Sequence, residues 1–204
     1  MLRHRKFFIL VILGLPLLSG CTENRGPNRA DPPIPTAAAL PAKDAPAQSA
    51  GTVLTEAVEK RFEGITLTIP AGWEERPVAS EFIQAEYRVS GEAGPARMTL
   101  SSAGGSVEAN LERWQGQFQR GPNDAAPERD TVAVDGVEAT IIELNGTFTD
   151  GFSKDGPQRN WCMLGAIIPT GPANFFLKLT GPRETVAAHR DEFREMVKAA
   201  RLGK

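Results

Sequence analysis

Few side chains in this chain have a type and spacing suited to chemistry. Nucleophilic catalysis by serine or cysteine needs a general base, most often histidine, and the sequence holds two histidines, His4 and His189. His189 follows Val186 by three residues and precedes Phe193 by four, on the apolar stripe expected of the last helix. It therefore reads as a packed or boundary residue rather than a base. Cys162, within Trp161-Cys162-Met163-Leu164, has no basic sequence neighbour to lower its pKa, and a buried inert thiol is expected. His189 and Cys162 alone cannot make a zinc ligand set. Ser102-Ala103-Gly104-Gly105-Ser106 could turn backbone amides toward an anion, but it lacks the Gly-x-x-x-x-Gly-Lys pattern and Glu108 would repel phosphate. A tight strand-to-helix turn is the better reading. The acids of Asp150 to Asp155 miss the alternating calcium-loop spacing, with Lys154 among them, so a solvated loop is expected. Glu74, Glu75, Glu81, Glu86 and Glu143 could supply acid–base carboxylates. A wet antiparallel sheet face carries such a set in any case. Trp73, Trp114 and Trp161 read as core or edge-of-core aromatics, an exposed cluster of them being the mark of a ligand surface. No catalytic, cofactor-binding or metal-ligating residue is assigned.

Cys21 offers chemistry of another kind. Arg3, His4, Arg5 and Lys6 precede the apolar run Phe7 to Leu18, and Ser19-Gly20-Cys21 follows it. A run of about twelve residues is short of the roughly 20 that span a bilayer as a helix, and suits the core of a signal peptide. Leu18-Ser19-Gly20-Cys21 resembles a bacterial lipobox. That resemblance implies a signal peptide over 1–20, a thioether lipid on the Cys21 thiol, cleavage before Cys21 and acylation of the new amine. Two or three acyl chains give lasting attachment where one is marginal. A plain secretory signal with a chance cysteine, or an uncleaved anchor, are the competing readings. Thr22 stands where the resemblance associates Asp with retention in the inner membrane, so the outer membrane, facing the periplasm, is favoured.

Processing would change the composition. Residues 1–20 carry three of the 23 basic residues and none of the 25 acidic ones, leaving a mature net charge of −5. Such a charge gives no electrostatic case for nucleic acid or an anionic surface. With Cys21 consumed by lipid, Cys162 would have no partner for an internal disulfide. From Thr22 to about Ala50 the chain is rich in Pro and Ala, with Pro27, Pro32, Pro33, Pro35, Pro41 and Pro46, and it has almost no large apolar residues. The lipidated cysteine and a disordered linker are thus expected over 21–52. The linker would reach roughly 30 Å as a coil and roughly 90 Å if fully extended.

Residues 53–204 are expected to form one globular domain able to bury about two-thirds of its unfolded surface. Alternating apolar residues predict a strand near Phe62 to Ile69, stopped by Pro70-Ala71-Gly72, with Trp73 capping the core. Hairpins are expected from Phe82–Val89 with Ala96–Ser101, from Thr131–Val134 with Val137–Phe148 around Asp135-Gly136, and from Trp161–Ile168 with Asn174–Leu179. One helix should begin after Ser106 as N-cap, carry Val107, Leu111, Trp114 and Phe118 on one face, and end at Gly121-Pro122-Asn123. A last helix should start after Gly181 with Pro182 in its first turn and carry Val186, His189, Phe193, Met196 and Ala200. This order predicts an α+β fold, a largely antiparallel sheet covered by helices.

The layout, with Ile69-Pro70-Ala71-Gly72-Trp73 after the first strand, resembles the PsbP-like α/β sandwich. Ala109 to Phe118 and Phe175 to Val186 are similar to segments of bacterial secreted and lipoprotein domains that have no assigned activity. The resemblance covers roughly residues 60 to 202 and implies a binding or assembly module rather than an enzyme; function does not follow from fold alone. The expected activity is therefore a noncatalytic binding or assembly role in the cell envelope. The membrane would be contacted through lipid on Cys21, an envelope protein is the candidate partner, and no cofactor or nucleic acid is expected. The alternatives are a carboxylate-based envelope hydrolase and a small-ligand-capturing lipoprotein.

Overall fold

The computed structural model describes residues 51–78, 80–151 and 155–203. Cys21, the expected signal peptide over 1–20 and the expected linker up to residue 50 lie outside the described residues.

The described chain runs β1 (Thr52–Val53), β2 (Val58–Phe62), β3 (Ile65–Ile69), β4 (Glu74–Arg76), β5 (Ala85–Val89), β6 (Ala96–Ala103), α1 (Val107–Gln115), β7 (Phe118–Gln119) and β8 (Glu128–Val134). It continues through β9 (Val137–Phe148), β10 (Gln158–Pro169), β11 (Asn174–Pro182), α2 (Arg183–Ala188), α3 (Arg190–Lys198) and β12 (Arg201–Leu202). A nine-stranded antiparallel sheet has the order β1-β4-β5-β6-β11-β10-β9. Its last edge is shared, with β8 pairing Val137–Glu143 of β9 and β7 pairing Thr147–Phe148. A small sheet, β2-β3-β12, accompanies it. The α+β class and the largely antiparallel sheet are as expected.

Alternation places two apolar sets on opposite faces of the large sheet. On one face Tyr87, Met98, Leu100, Leu164, Phe175, Leu177 and Leu179 form a core with Ile65, Leu67 and Ile69 of β3, Trp73, Val186 of α2, and Phe193 and Val197 of α3. On the other, Leu111 and Trp114 of α1 pack with Ile142, Leu144, Met163, Ile167 and Phe176. The first core thus uses the small sheet as well as helices. Trp114 lies over Gly165, where a β-carbon would stand 2.6 Å from the indole ring, so the missing side chain is what admits the helix.

The Asp135-Gly136 hairpin forms as expected, with both residues at positive φ (43° and 88°), the backbone that a two-residue primed turn requires. The hairpins β5–β6 and β10–β11 also form. Four expectations need correction. Phe62 to Ile69 is not one strand: Glu63-Gly64 turns β2 back on β3, with Gly64 at positive φ (75°) and Phe62 out of step with the alternation of Ile65, Leu67 and Ile69. The first strand of the β5–β6 hairpin starts at Ala85, leaving Phe82 outside it and 77% exposed. Helix α1 begins after Ser106, whose hydroxyl accepts from the Ala109 amide, but it closes at Gln115, and Phe118 sits in β7. The last helix is two. Strand β11 runs to Pro182, α2 ends at Ala188, and His189 (φ −102°, ψ 10°) joins it to α3.

Candidate functional site

Glu143 lies on β9, opposite Leu164 of β10 on one side and Glu128 of β8 on the other. Arg190, the first residue of α3, donates to both its oxygens, from Nε at 2.9 Å and Nη2 at 2.7 Å. One turn along α3, Arg194 pairs with Asp130 of β8. Between helix and strands lies a shallow cleft of about 130 Å³, floored by Ile141 and Leu164 and rimmed by Glu128, Asp130, Asp191 and the arginines. The hydrogen bonds from Arg190 to Glu143, with the carboxylate charge, raise the guanidinium's already high pKa.

Behind this pair lies Cys162, 1% exposed and cross-strand from Asn145. Burial pushes its thiol up to about 12, and the Glu143 charge adds to the shift against the opposing charges of Arg190 and Arg183. The inert thiol expected from sequence is what the geometry gives. Above it, Asp124 in the β7–β8 connection pairs with Arg183 at the start of α2. The Gly121 amide (2.8 Å) and then Arg183 hold the Asp124 carboxyl below its usual range.

The other carboxylates singled out from sequence lie on the β4–β5 pair and its connection, and three are each held by a cation. Glu74 accepts from Arg76 at 2.8 Å and from Arg88 at 3.5 Å. Its pKa is lowered, chiefly by the Arg76 hydrogen bond. Glu75 takes Lys60 on both oxygens at 2.6 Å, and Glu86 takes the fork of Arg97 at 3.0 and 2.7 Å. Glu81 is exposed between β4 and β5. An acid–base pair needs two carboxyls whose pKa values are driven apart, one of them upward. At Glu74 the shift runs the other way, toward the ionised form.

His189 is a joint. Its Nδ1 faces Glu192 Oε2 at 2.7 Å and its Nε2 faces the Ser90 carbonyl at 3.1 Å. The same Glu192 oxygen accepts Trp73 Nε1 at 3.1 Å, so the histidine links the α2–α3 break to the core. The Gly-rich turn is an ordinary strand-to-helix junction, with the Gly105 carbonyl accepting from Asn174 and Glu108 paired to Arg129. Residues 152–154 of the Asp150–Asp155 loop lie outside the described residues. The three tryptophans do not cluster: Trp73 and Trp114 are buried in separate cores, and Trp161 stacks on Phe148 at 5.6 Å and 3°.

Sequence reasoning missed Lys178. It lies on the α1 side of the sheet, donates to Gln117 Oε1 at 2.6 Å, and sits 5.2 Å from the Phe148 ring centre. Burial lowers its pKa to about 8. Two residues on, Thr180 is 6% exposed and its hydroxyl has no hydrogen-bond partner. The signal was present: Lys178 is the one charged residue in Asn174 to Thr180, a strand apolar on both faces.

No protein-family model matches the chain, and no curated protein matches it. Among solved structures, the chain is similar to cyanobacterial PsbP (CyanoP) from Synechocystis sp. PCC 6803. The likeness has 12% identity and a TM-score of 0.50, over 78% of this chain and 99% of that one. A protein of unknown function from Pseudomonas aeruginosa, PA94, matches at 18% identity and a TM-score of 0.43, over 69% of this chain and 92% of that one. At 12% identity the likeness to CyanoP is one of fold. The described domain has a PsbP-like α+β fold.

Proposed function

We propose that this chain is an extracytoplasmic lipoprotein, anchored through acyl chains on Cys21, whose domain binds or assembles with an envelope component and catalyses no reaction. The observation that carries this reading is the commitment of its reactive side chains to the fold. Glu143 is fastened by Arg190, His189 lies between Glu192 and Ser90, and Cys162 is sealed in the core with its thiol pushed up to about 12. Rigidly paired charges on a stiff sheet suit recognition, in which complementary charge sets register and partner choice. The PsbP-like fold agrees with the binding or assembly role that the sequence resemblance implies. Thr22 favours the outer membrane on its periplasmic side, with the Pro/Ala-rich linker as the tether between membrane and domain.

The carboxylate hydrolase is disfavoured by the ion pairs that hold Glu74, Glu75, Glu86 and Glu143. Small-ligand capture is disfavoured by size. The cleft beside Glu143 and another lined by Phe118 and Leu144 hold about 130 and 220 Å³, against roughly 300–1,000 Å³ for a usual ligand pocket.

The test is cross-linking of the intact lipoprotein in its membrane, followed by identification of what is captured. Reproducible recovery of a specific envelope component is expected, and it should be lost when the paired charges of the domain are reversed. Recovery of nothing specific under several conditions would overturn the assembly reading.

A further inference from the structure

Three large apolar side chains stand exposed among the described residues: Val53 at 57%, Val78 at 46% and Phe82 at 77%. A lone exposed hydrophobe is ordinary, but a gathering of them marks a contact surface. All three belong to one side of the large sheet. Val53 is in β1, the edge strand, and Val78 and Phe82 lie in the connection from β4 to β5.

The chain also arrives here. Strand β1 runs antiparallel to β4 with Thr52 opposite Glu75. Gly51 therefore lies beside Arg76, the last residue of β4, and its amide donates to Glu74 at 3.1 Å. The segment leading back to Cys21 thus joins the domain at the end of β4 from which the Val78–Phe82 connection departs. The 29 residues from Thr22 to Ala50 reach roughly 30 Å as a coil. That length lets this edge touch the surface holding the acyl chains.

Charge decides which surface it fits. Lys60, Arg76, Arg88 and Arg97 are matched by Glu74, Glu75 and Glu86 in direct ion pairs, and Glu81, with Glu63 beside Gln84, leaves this edge slightly acidic. An edge with a protruding aromatic and no basic excess suits zwitterionic lipid rather than the anionic surface or polyanion that clustered cations would select.

We propose that the β1–β4–β5 edge, led by Phe82, rests on the same lipid surface to which Cys21 is attached. This orientation rests on the lipoprotein reading and adds to it which side of the domain faces the membrane, leaving α3 and the Glu143–Arg190 cleft directed elsewhere for a partner.

The test places the lipidated full chain in phosphatidylcholine vesicles containing lipids brominated near the carbonyl end. Phe82→Trp is compared with Glu92→Trp, at the exposed β5–β6 turn, and wild type supplies the background from Trp73, Trp114 and Trp161. The indole at 82 should emit at shorter wavelength and be quenched at least about twofold more than the one at 92. Adding Val78→Glu should reduce that quenching. Flotation of wild type beside Cys21→Ala reports the anchor separately. A protein that floats through Cys21 but shows equal quenching at 82 and 92 overturns the orientation and leaves the anchor standing, as would contact of this edge with a second copy or another protein. A protein that does not float overturns both.

Discussion

Arg190 grips both oxygens of Glu143, at 2.9 and 2.7 Å, and so fastens the first turn of α3 to the middle of β9. The Glu143 side chain is only 14% exposed, so removing the arginine strands a poorly hydrated carboxylate. Arg190→Leu should cost about 1–3 kcal/mol of folding stability, read from urea midpoints. Lys198→Ala breaks an exposed pair with Glu195 and should cost less than about 0.5 kcal/mol. Equal costs would mean that the Glu143 pair is a surface contact.

The packing of Trp114 on Gly165 makes a second prediction. A β-carbon there would lie 2.6 Å from the indole, well inside contact distance. Gly165→Ala should destabilise by about 1–3 kcal/mol through overpacking. Combining it with Trp114→Leu should recover part of that loss, because the two sites share one contact. Additive costs in thermal or urea unfolding would contradict this packing.

Lys178 has its pKa lowered from 10.5 to about 8 by burial. The folded chain therefore loses this proton before the unfolded chain does, and stability must rise with pH between those values. Lys178 is a penalty below pH 8 that is relieved on the way to 10.5. Lys178→Met should make the urea midpoint less dependent on pH between about 7.5 and 9.5 than it is in wild type. Parallel profiles would show that the ammonium is well solvated.

Cys162 is 1% exposed, with its thiol pushed up to about 12. In the Cys21→Ala protein it is the only thiol in the chain. Labelling by a maleimide at pH 8 should be negligible in the native state and should follow the unfolding transition in urea. Rapid native labelling would point to an opened, reactive site.

Local signals made much of the sheet legible in the sequence. Asp135-Gly136 marks its hairpin because few other pairs accept positive φ at both positions, and Ser106 marks a helix start because its hydroxyl can cap an amide. The Glu63-Gly64 turn left only a faint mark: Phe62 stands three residues before Ile65, out of step with Leu67 and Ile69, and Gly64 takes the positive φ (75°) that the turn needs. The break at His189 was hidden because Val186, Phe193, Met196 and Ala200 hold one helical period on both sides of a joint that has neither Gly nor Pro. What fixes that joint is tertiary: Ser90 and Glu192 on the imidazole. The same holds for the cleft. Glu143 was visible as one acid among many, whereas Arg190, 47 residues away, becomes its partner only when α3 docks on the sheet. Lys178 was visible as a charge in an apolar strand, but its burial depends on α1, Gln117 and Phe148 together.

Attachment through Cys21 can be read from the mass of the mature N-terminal peptide recovered from the membrane fraction. The expected result is a chain that begins at Cys21 and carries a thioether-linked diacylglyceryl group with an acylated amine, together with a Cys21→Ala protein released from the membrane. An unmodified Cys21 within a chain that still holds residues 1–20, or a Cys21→Ala protein equally bound to the membrane, would contradict it.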